Sequence, residues 1–278
     1  MPEVLALGSA LVFGLVHFLS GLLARGASSY AVALFGQLGG MVLVGCAALV
    51  VPGHSVAVPS LAWGALSGVG TGVGVAFLYR GLSVGHMSVV APLSDLGAVA
   101  LPVLAGVALL GDRPSLVAWA GVLAALPALW LVSRPGGVRS PAPVAGAGDG
   151  LVAGVGFALQ FVAIAQVDVA DGLWPILAAR VLATVTIVPI ALRRRAVLRL
   201  PRRLVVPACL VGAAGSAAIV LYLLATQHQL FALATVLAAL YPAVPVLLGV
   251  LFLHERLAAS QVVGLGLAGT AIALISLG

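Results

Sequence analysis

Five side chains sit where chemistry is costly to keep: His17, Gln37, Asp95, Gln160 and Arg180 each fall inside a long apolar run. If those runs lie in hydrocarbon, a polar group retained there marks a pathway, a relay or a ligand site, unless it merely pairs with a neighbour. A guanidinium could hold a carboxylate, the two amides could supply donors and acceptors, and a buried carboxyl could contact an amine or carry a proton. Asp95 is therefore the proton-coupling candidate. Asp95 and Arg180 could equally form a structural ion pair. His17 reads better as a histidine hydrogen-bonded to a neighbouring helix than as a switch. Tyr241 joins these as a candidate lining residue, whereas Tyr79 and Tyr222 suit either a cavity wall or an anchor at the membrane surface.

Other chemistries lack their signatures. No nucleophile stands beside a base, and the run GALSGVGTGVG lacks the spacing and the preceding strand of a dinucleotide loop. Asp168 and Asp171 offer too few ligands for a metal, and His254 with Glu255 lacks the second histidine of a zinc helix. No metal, no cofactor and no enzymatic activity is expected.

The elements that carry these residues must be membrane helices. The chain has 278 residues, of which 63% are hydrophobic and 7% charged, and a mean hydropathy of +1.26, values that exclude a water-soluble globule. Apolar runs of about 20 residues suit helices crossing ~30 Å of hydrocarbon, and nothing shows the ten-residue alternation of a membrane barrel. Ten spans are expected, at about Val4–Leu23, Ser29–Val50, Leu61–Tyr79, Met87–Leu110, Leu116–Val132, Gly150–Val167, Leu173–Leu192, Leu204–Thr226, Leu230–Leu253 and from Ser260 onward. The first lacks a basic leader and is read as a retained helix. At a rise of ~1.5 Å per residue, the five polar residues lie roughly 12–20 Å deep, all near the midplane.

Within the spans, Gly64, Gly68 and Gly72 form one stripe with Gly70 and Gly74 beside it, a pattern for close helix packing. Pro92 and Pro102 in the fourth span, and Pro242 and Pro245 in the ninth, predict interrupted helices in matching places. Asp112 with Ser115, and Glu255, are read as caps of the helices that follow them. Cys46 and Cys209 are expected as buried, unpaired thiols.

The stretch from Tyr79 to Ser133 returns without a gap from Tyr222 to Ser276, an offset of 143 that matches Pro102 with Pro245 and Asp112–Arg113 with Glu255–Arg256. The same offset pairs His17 with Gln160 and Gln37 with Arg180. Two units follow, residues 1–134 and 150–278, joined by a linker at 135–149. Five helices per unit inserts the second copy upside down, so the fold expected is all-α with two inverted five-helix repeats. All thirteen basic residues are Arg. Apart from Arg113 and the intramembrane Arg180 they lie in or beside the odd-numbered connections, which places both termini outside the cell and the basic face against anionic cytoplasmic lipid. No nucleic-acid partner is expected.

The segment FLYRGLSVGHMSVVAPLSDLGAVALPVLAGVALLGDRP, Phe77 to Pro114, resembles the EamA-type branch of the drug/metabolite transporter superfamily, as does YPAVPVLLGVLFLHERLAASQVVGLGLAG from Tyr241. The resemblance implies a ten-helix carrier that moves small metabolites, often exporting amino acids or related compounds, by alternating access. Arg180 looks like the helix 7 arginine of that family, while Gln37 stands where the first repeat of many members has arginine. Termini outside also differ from the arrangement usual in better-known members. The expectation is a secondary transporter of the cytoplasmic membrane, exporting a small polar metabolite such as an amino acid, with the bilayer and that small molecule as its partners. A monomer suffices, and a dimer is compatible. The alternatives are proton-coupled efflux of an organic cation or drug, uptake of a vitamin or metabolite, and a lipid-handling or structural membrane protein.

Overall fold

A computed structural model describes residues 2–24, 26–50, 56–84, 87–132, 146–253 and 258–277. Arg25, Arg134, Arg139, Glu255 and Arg256, on which parts of the topology and capping expectations rested, lie outside the described residues. The described chain is helical throughout: α1 Pro2–Ala24, α2 Ser29–Val50, α3 Val58–Val84, α4 Met87–Leu109, α5 Leu116–Val132, α6 Ala147–Ala165, α7 Trp174–Arg193, α8 Arg202–Thr226, α9 Phe231–Ala238, α10 Ala243–Leu253 and α11 Ala259–Leu277. A single 3₁₀ turn, Val169–Asp171, precedes α7. Six of these helices, α1, α2, α3, α6, α7 and α8, are long and apolar enough to cross a membrane, and shorter apolar helices accompany them.

The core is largely apolar, yet so is the surface: Leu49, Leu109, Leu116, Val206 and Leu251 are exposed, while Gln37, Gln160 and Arg180 are buried. An apolar exterior with a few polar side chains turned inward suits a lipid solvent. Cys46 lies on that exterior and Cys209 is partly covered; the expected burial of both thiols is corrected, because a small apolar side chain gains as much from lipid as from a neighbouring helix.

Helix directions can be read from the closest approaches. A Cβ added at Gly64 would strike the Pro175 carbonyl, one at Gly68 the Ala179 carbonyl, and one at Gly72 would meet Thr186 and Ala183, so α3 and α7 run parallel and in backbone contact. The neighbouring stripe of Gly70 and Gly74 faces Gly156, Phe157 and Gln160, so α6 runs antiparallel to α3. Small side chains permit this closeness, which no larger residue would. In the same way α8 packs on α2 and α1: Gly36 abuts Gly212 and Gly40 abuts Gly212 and Ser216, a parallel pair, while Gly8 meets Leu221 and Gly215 meets Val16, an antiparallel one. The helices α2 and α7 cross antiparallel, Gly40 beside Arg180 and Gly45 beside Leu177. So do α5 and α11, through Gly121 with Ile275 and Gly264 with Val132.

The two proline pairs behave differently. Helix α4 is continuous from Met87 to Leu109 with Pro92 and Pro102 inside it, so the interruption expected there is corrected. In the ninth predicted span the chain leaves the α-helix between Ala238 and Ala243. There it turns on short i to i+3 bonds, Ala243 N to Leu240 O at 3.2 Å and Val244 N to Tyr241 O at 3.0 Å. Spacing explains the difference. Prolines ten residues apart each remove one helical donor, and the intact neighbouring turns carry the helix through, as they do at Pro127, Pro189 and Pro207. Prolines three apart remove two donors within one turn. Gly14 of α1 lets the break approach: a Cβ there would lie 2.8 Å from Tyr241 O and collide with Val244.

Candidate functional site

The break at Ala239–Pro242 presents Tyr241 to a central cavity of about 150 Å³, whose lining includes His17, Gln37, Thr71, Gln160, Arg180 and Tyr241. Four of the five polar residues singled out in the sequence thus line one space, together with Tyr241. Lining positions cluster in the last half of α1 and α3 (Ser20, Leu78, Tyr79) and the first half of α2 and α8 (Val32, Ala33, Ala208). The cavity therefore extends from mid-bundle toward the end that carries the α1–α2 and α7–α8 connections. That end also carries Arg80 and the arginines from Arg193 to Arg203. Arg80 pairs there with Asp149 of α6 at 3.0 Å.

Arg180 is the centre of the site. It is 6% exposed, and α7 is brought against α2 so that its Nη1 donates to Gln37 Oε1 at 3.0 Å. These two residues stand 143 apart, the offset of the sequence repeat. The remaining guanidinium donors, Nε and Nη2, are buried without a hydrogen-bond partner. Buried donors left unmade cost about 1–3 kcal/mol each, more when charged, so a pair of them in a cavity wall is a place for a ligand. Nε and Nη2 form one edge of the planar group, with parallel N–H bonds that match the two oxygens of a carboxylate.

Around Arg180 the wall is fixed by short bonds. Thr71 donates to Gln160 Oε1 at 2.7 Å, the shorter of its two contacts, with Ser67 O at 3.0 Å. Ser67 in turn bonds Gln160 O at 3.0 Å, which ties α3 to α6 beside the glycine contacts. His17 donates through Nδ1 to Phe13 O at 2.7 Å, and its ring stacks on Tyr241 with centroids 4.6 Å apart.

Asp95 does not line the cavity. Its Oδ1 accepts the Tyr241 hydroxyl at 2.7 Å, so it lies behind the tyrosine and holds the broken segment against α4. Arg180 bonds Gln37 instead. The guanidinium and the carboxylate that the sequence set side by side are assigned to different partners, α2 for one and the break for the other.

Past Arg180 the cavity is closed by rings. Phe13 meets Phe161 edge-on at 6.2 Å and Phe161 meets Tyr222 at 4.9 Å. Tyr222 is fully buried, its hydroxyl 2.7 Å from Thr235 Oγ1 on α9, and Thr235 passes the bond on to Phe231 O at 2.9 Å. Asp112, expected to cap α5, instead accepts from Ala232 N at 2.7 Å and caps α9. Ser115 alone takes the α5 role, through Ala118 N at 3.0 Å. Asp171 and Asp168 also serve loops, Asp171 accepting from Ala57 N and Asp168 from Ala170 N.

The cavity hydroxyl of Thr71, and Ser67 behind it, escaped the sequence reading. Their signal was present: they are four apart, hence on one helix face, inside a glycine run that was assigned wholly to packing.

Residues 145–277 match the model of the EamA-like transporter family. The second half of the chain belongs to that family. EamA-like proteins are membrane transporters of the drug/metabolite type rather than enzymes, and the apolar helices make this a multi-pass membrane protein. The resemblance read from the sequence is borne out. A solved protein crystal structure shares the fold of this EamA-like chain with a TM-score of 0.78, at 18% identity, over 99% of this chain and 98% of that one. No curated protein sequence matches.

Proposed function

We propose that the chain is a secondary transporter of the cytoplasmic membrane, which exports a small carboxylate-bearing metabolite by alternating access. The observation that carries this reading is Arg180, a buried cation in a cavity wall with two unmatched donors, in a chain whose second half is EamA-like. A structural arginine would be expected to have all its donors met; a substrate-binding one needs some of them open.

Ten spans in two inverted units, 1–134 and 150–278 about the linker 135–149, fit the packing. Shifting every helix by the repeat offset carries the α3 contacts with α6 and α7 onto the α8 contacts with α1 and α2. Matched helices α2 and α7, and α5 and α11, cross antiparallel, as inverted copies must. Arg80 and the Arg193 to Arg203 cluster share the end toward which the cavity extends, which supports a cavity facing the cytoplasm with the termini outside. Both halves of the site come from one chain, so a monomer is the working unit. Asp95, reached from the cavity only through Tyr241, suits coupling or positioning better than contact with substrate.

The test is flux in proteoliposomes. Wild-type protein should exchange a radiolabelled carboxylate solute across the bilayer, and Arg180→Gln should abolish exchange while the protein stays folded. Equal flux by Arg180→Gln, or lipid scrambling by wild type without any solute flux, would overturn the reading.

A further inference from the structure

Resting on that reading, we infer that the cavity selects a monoanion with a flat apolar body, and that it has no subsite for the ammonium group of an amino acid. Among the described residues that line it, Arg180 is the only one with a permanent charge, and none is Asp or Glu. Asp95, the carboxylate the sequence offered for an amine, is outside the lining and already receives the Tyr241 hydroxyl. An ammonium brought beside Arg180 would meet a like charge and find no carboxylate wall, in a low-dielectric space where both effects are strong.

The polar acceptors of the wall point the same way. Gln37 Oε1 accepts from Arg180 itself, and Phe13 O accepts from His17. What the wall leaves unmade is donors, Nε and Nη2 of Arg180. Their shared edge is a two-pronged seat, and Gln37 fixes its angle by holding Nη1 from the other side. A carboxylate is the planar anion of matching bite.

Beyond the seat, the wall is apolar, and rings share it with aliphatic side chains such as Val75, Leu78, Val211 and Ile219. Phe13, Phe157, Phe161, Tyr241 and His17 all line the cavity, with His17 and Tyr241 stacked in one slab and tilted by only 21°. Ring faces in an apolar wall favour a flat aryl body over a branched one, because offset stacking adds to the area it buries. The chemical class is therefore an aryl or similarly flat apolar carboxylate of single negative charge.

Three probes that share a benzene ring separate the possibilities: phenylacetate, phenylalanine and phenethylamine. Each is titrated against the purified full chain by thermal shift at constant ionic strength, and the binders are then followed as counterflow in proteoliposomes. Phenylacetate should raise the unfolding temperature in a saturable way and bind at least tenfold tighter than phenylalanine, with no shift from phenethylamine. Arg180→Gln should remove the phenylacetate shift. In case that variant does not fold, Gln37→Glu supplies the guanidinium with an internal carboxylate and should weaken phenylacetate by tenfold or more in a folded protein. Phenylalanine binding as tightly as phenylacetate, with counterflow, would overturn the selectivity and leave the carrier standing. Phenethylamine as the preferred probe would overturn it in favour of cation transport. Silence and no counterflow from all three, in folded protein, would overturn both.

Discussion

Tyr79 and Tyr222 occupy the same place in the two halves of the sequence and opposite conditions in the fold. Tyr79 lines the cavity at its arginine-rich end, its ring edge-on to Tyr30 at 5.9 Å. Tyr222 is shut away at the other end, its hydroxyl bonded toward Thr235 and its ring against Phe161. Two positions alike in sequence are thus seen in two settings, one end parted and the other sealed. The seal also includes the cap of α9 by Asp112, a contact that reaches across 120 residues. In the transporter proposed here, the sealed end must part when the open end closes, so the contacts peculiar to Tyr222 set which way the protein faces at rest.

The comparison can be broken outright by Gly68→Leu. A side chain there would drive α3 off the Ala179 backbone, and since overpacking alone costs about 1–3 kcal/mol before any backbone shift, both ends should be lost together. Size-exclusion chromatography and thermal unfolding of the purified protein read this; a stable monodisperse variant would contradict the packing. Asp112→Ala should act on the sealed end only. Loss of a buried helix cap costs about 1–2 kcal/mol, and a cysteine placed at Leu233 of α9 should then label faster from the side opposite the arginines, with ligand affinity barely changed. Tyr222→Phe is milder, removing about 1 kcal/mol of hydrogen bonding, and should raise the same labelling. Tyr79→Phe should change labelling least, within about 0.5 kcal/mol, as expected away from buried contacts. If Tyr79→Phe and Tyr222→Phe proved equal, the two ends would not differ as described.

Much of this was legible in the chain itself. The helix spans follow from unbroken apolar runs, and the cavity follows from four polar residues that hydrocarbon would not tolerate unless they faced one another. The close packing of α3 was legible in its glycine stripe, because spacing alone decides which face of a helix is small, but its partner α7 was not. What escaped depended on partners remote in sequence. Nothing near Asp112 signals that its acceptor reaches Ala232 N rather than the next helix, and a cap bonds backbone, which every residue has. The turn of Asp95 toward Tyr241 depends on where the broken segment lies. The prolines misled in the first half because their number was weighed and their spacing was not.

The contact between Gln37 and Arg180 has a consequence for how such a protein can be built. Two separate copies of one unit would have to bring the same residue to both positions, so an arginine would face an arginine, charge against charge with no acceptor between them. Joining the two units in one polypeptide lifts that restriction, because each position can then be chosen alone. A donor can be set opposite an acceptor, and the edge of the guanidinium that faces away from the junction is left open. In the two-unit carrier proposed above, the covalent link thus does more than hold two bundles together: it permits a lopsided centre. Neither half by itself, however many copies assemble, could reproduce it.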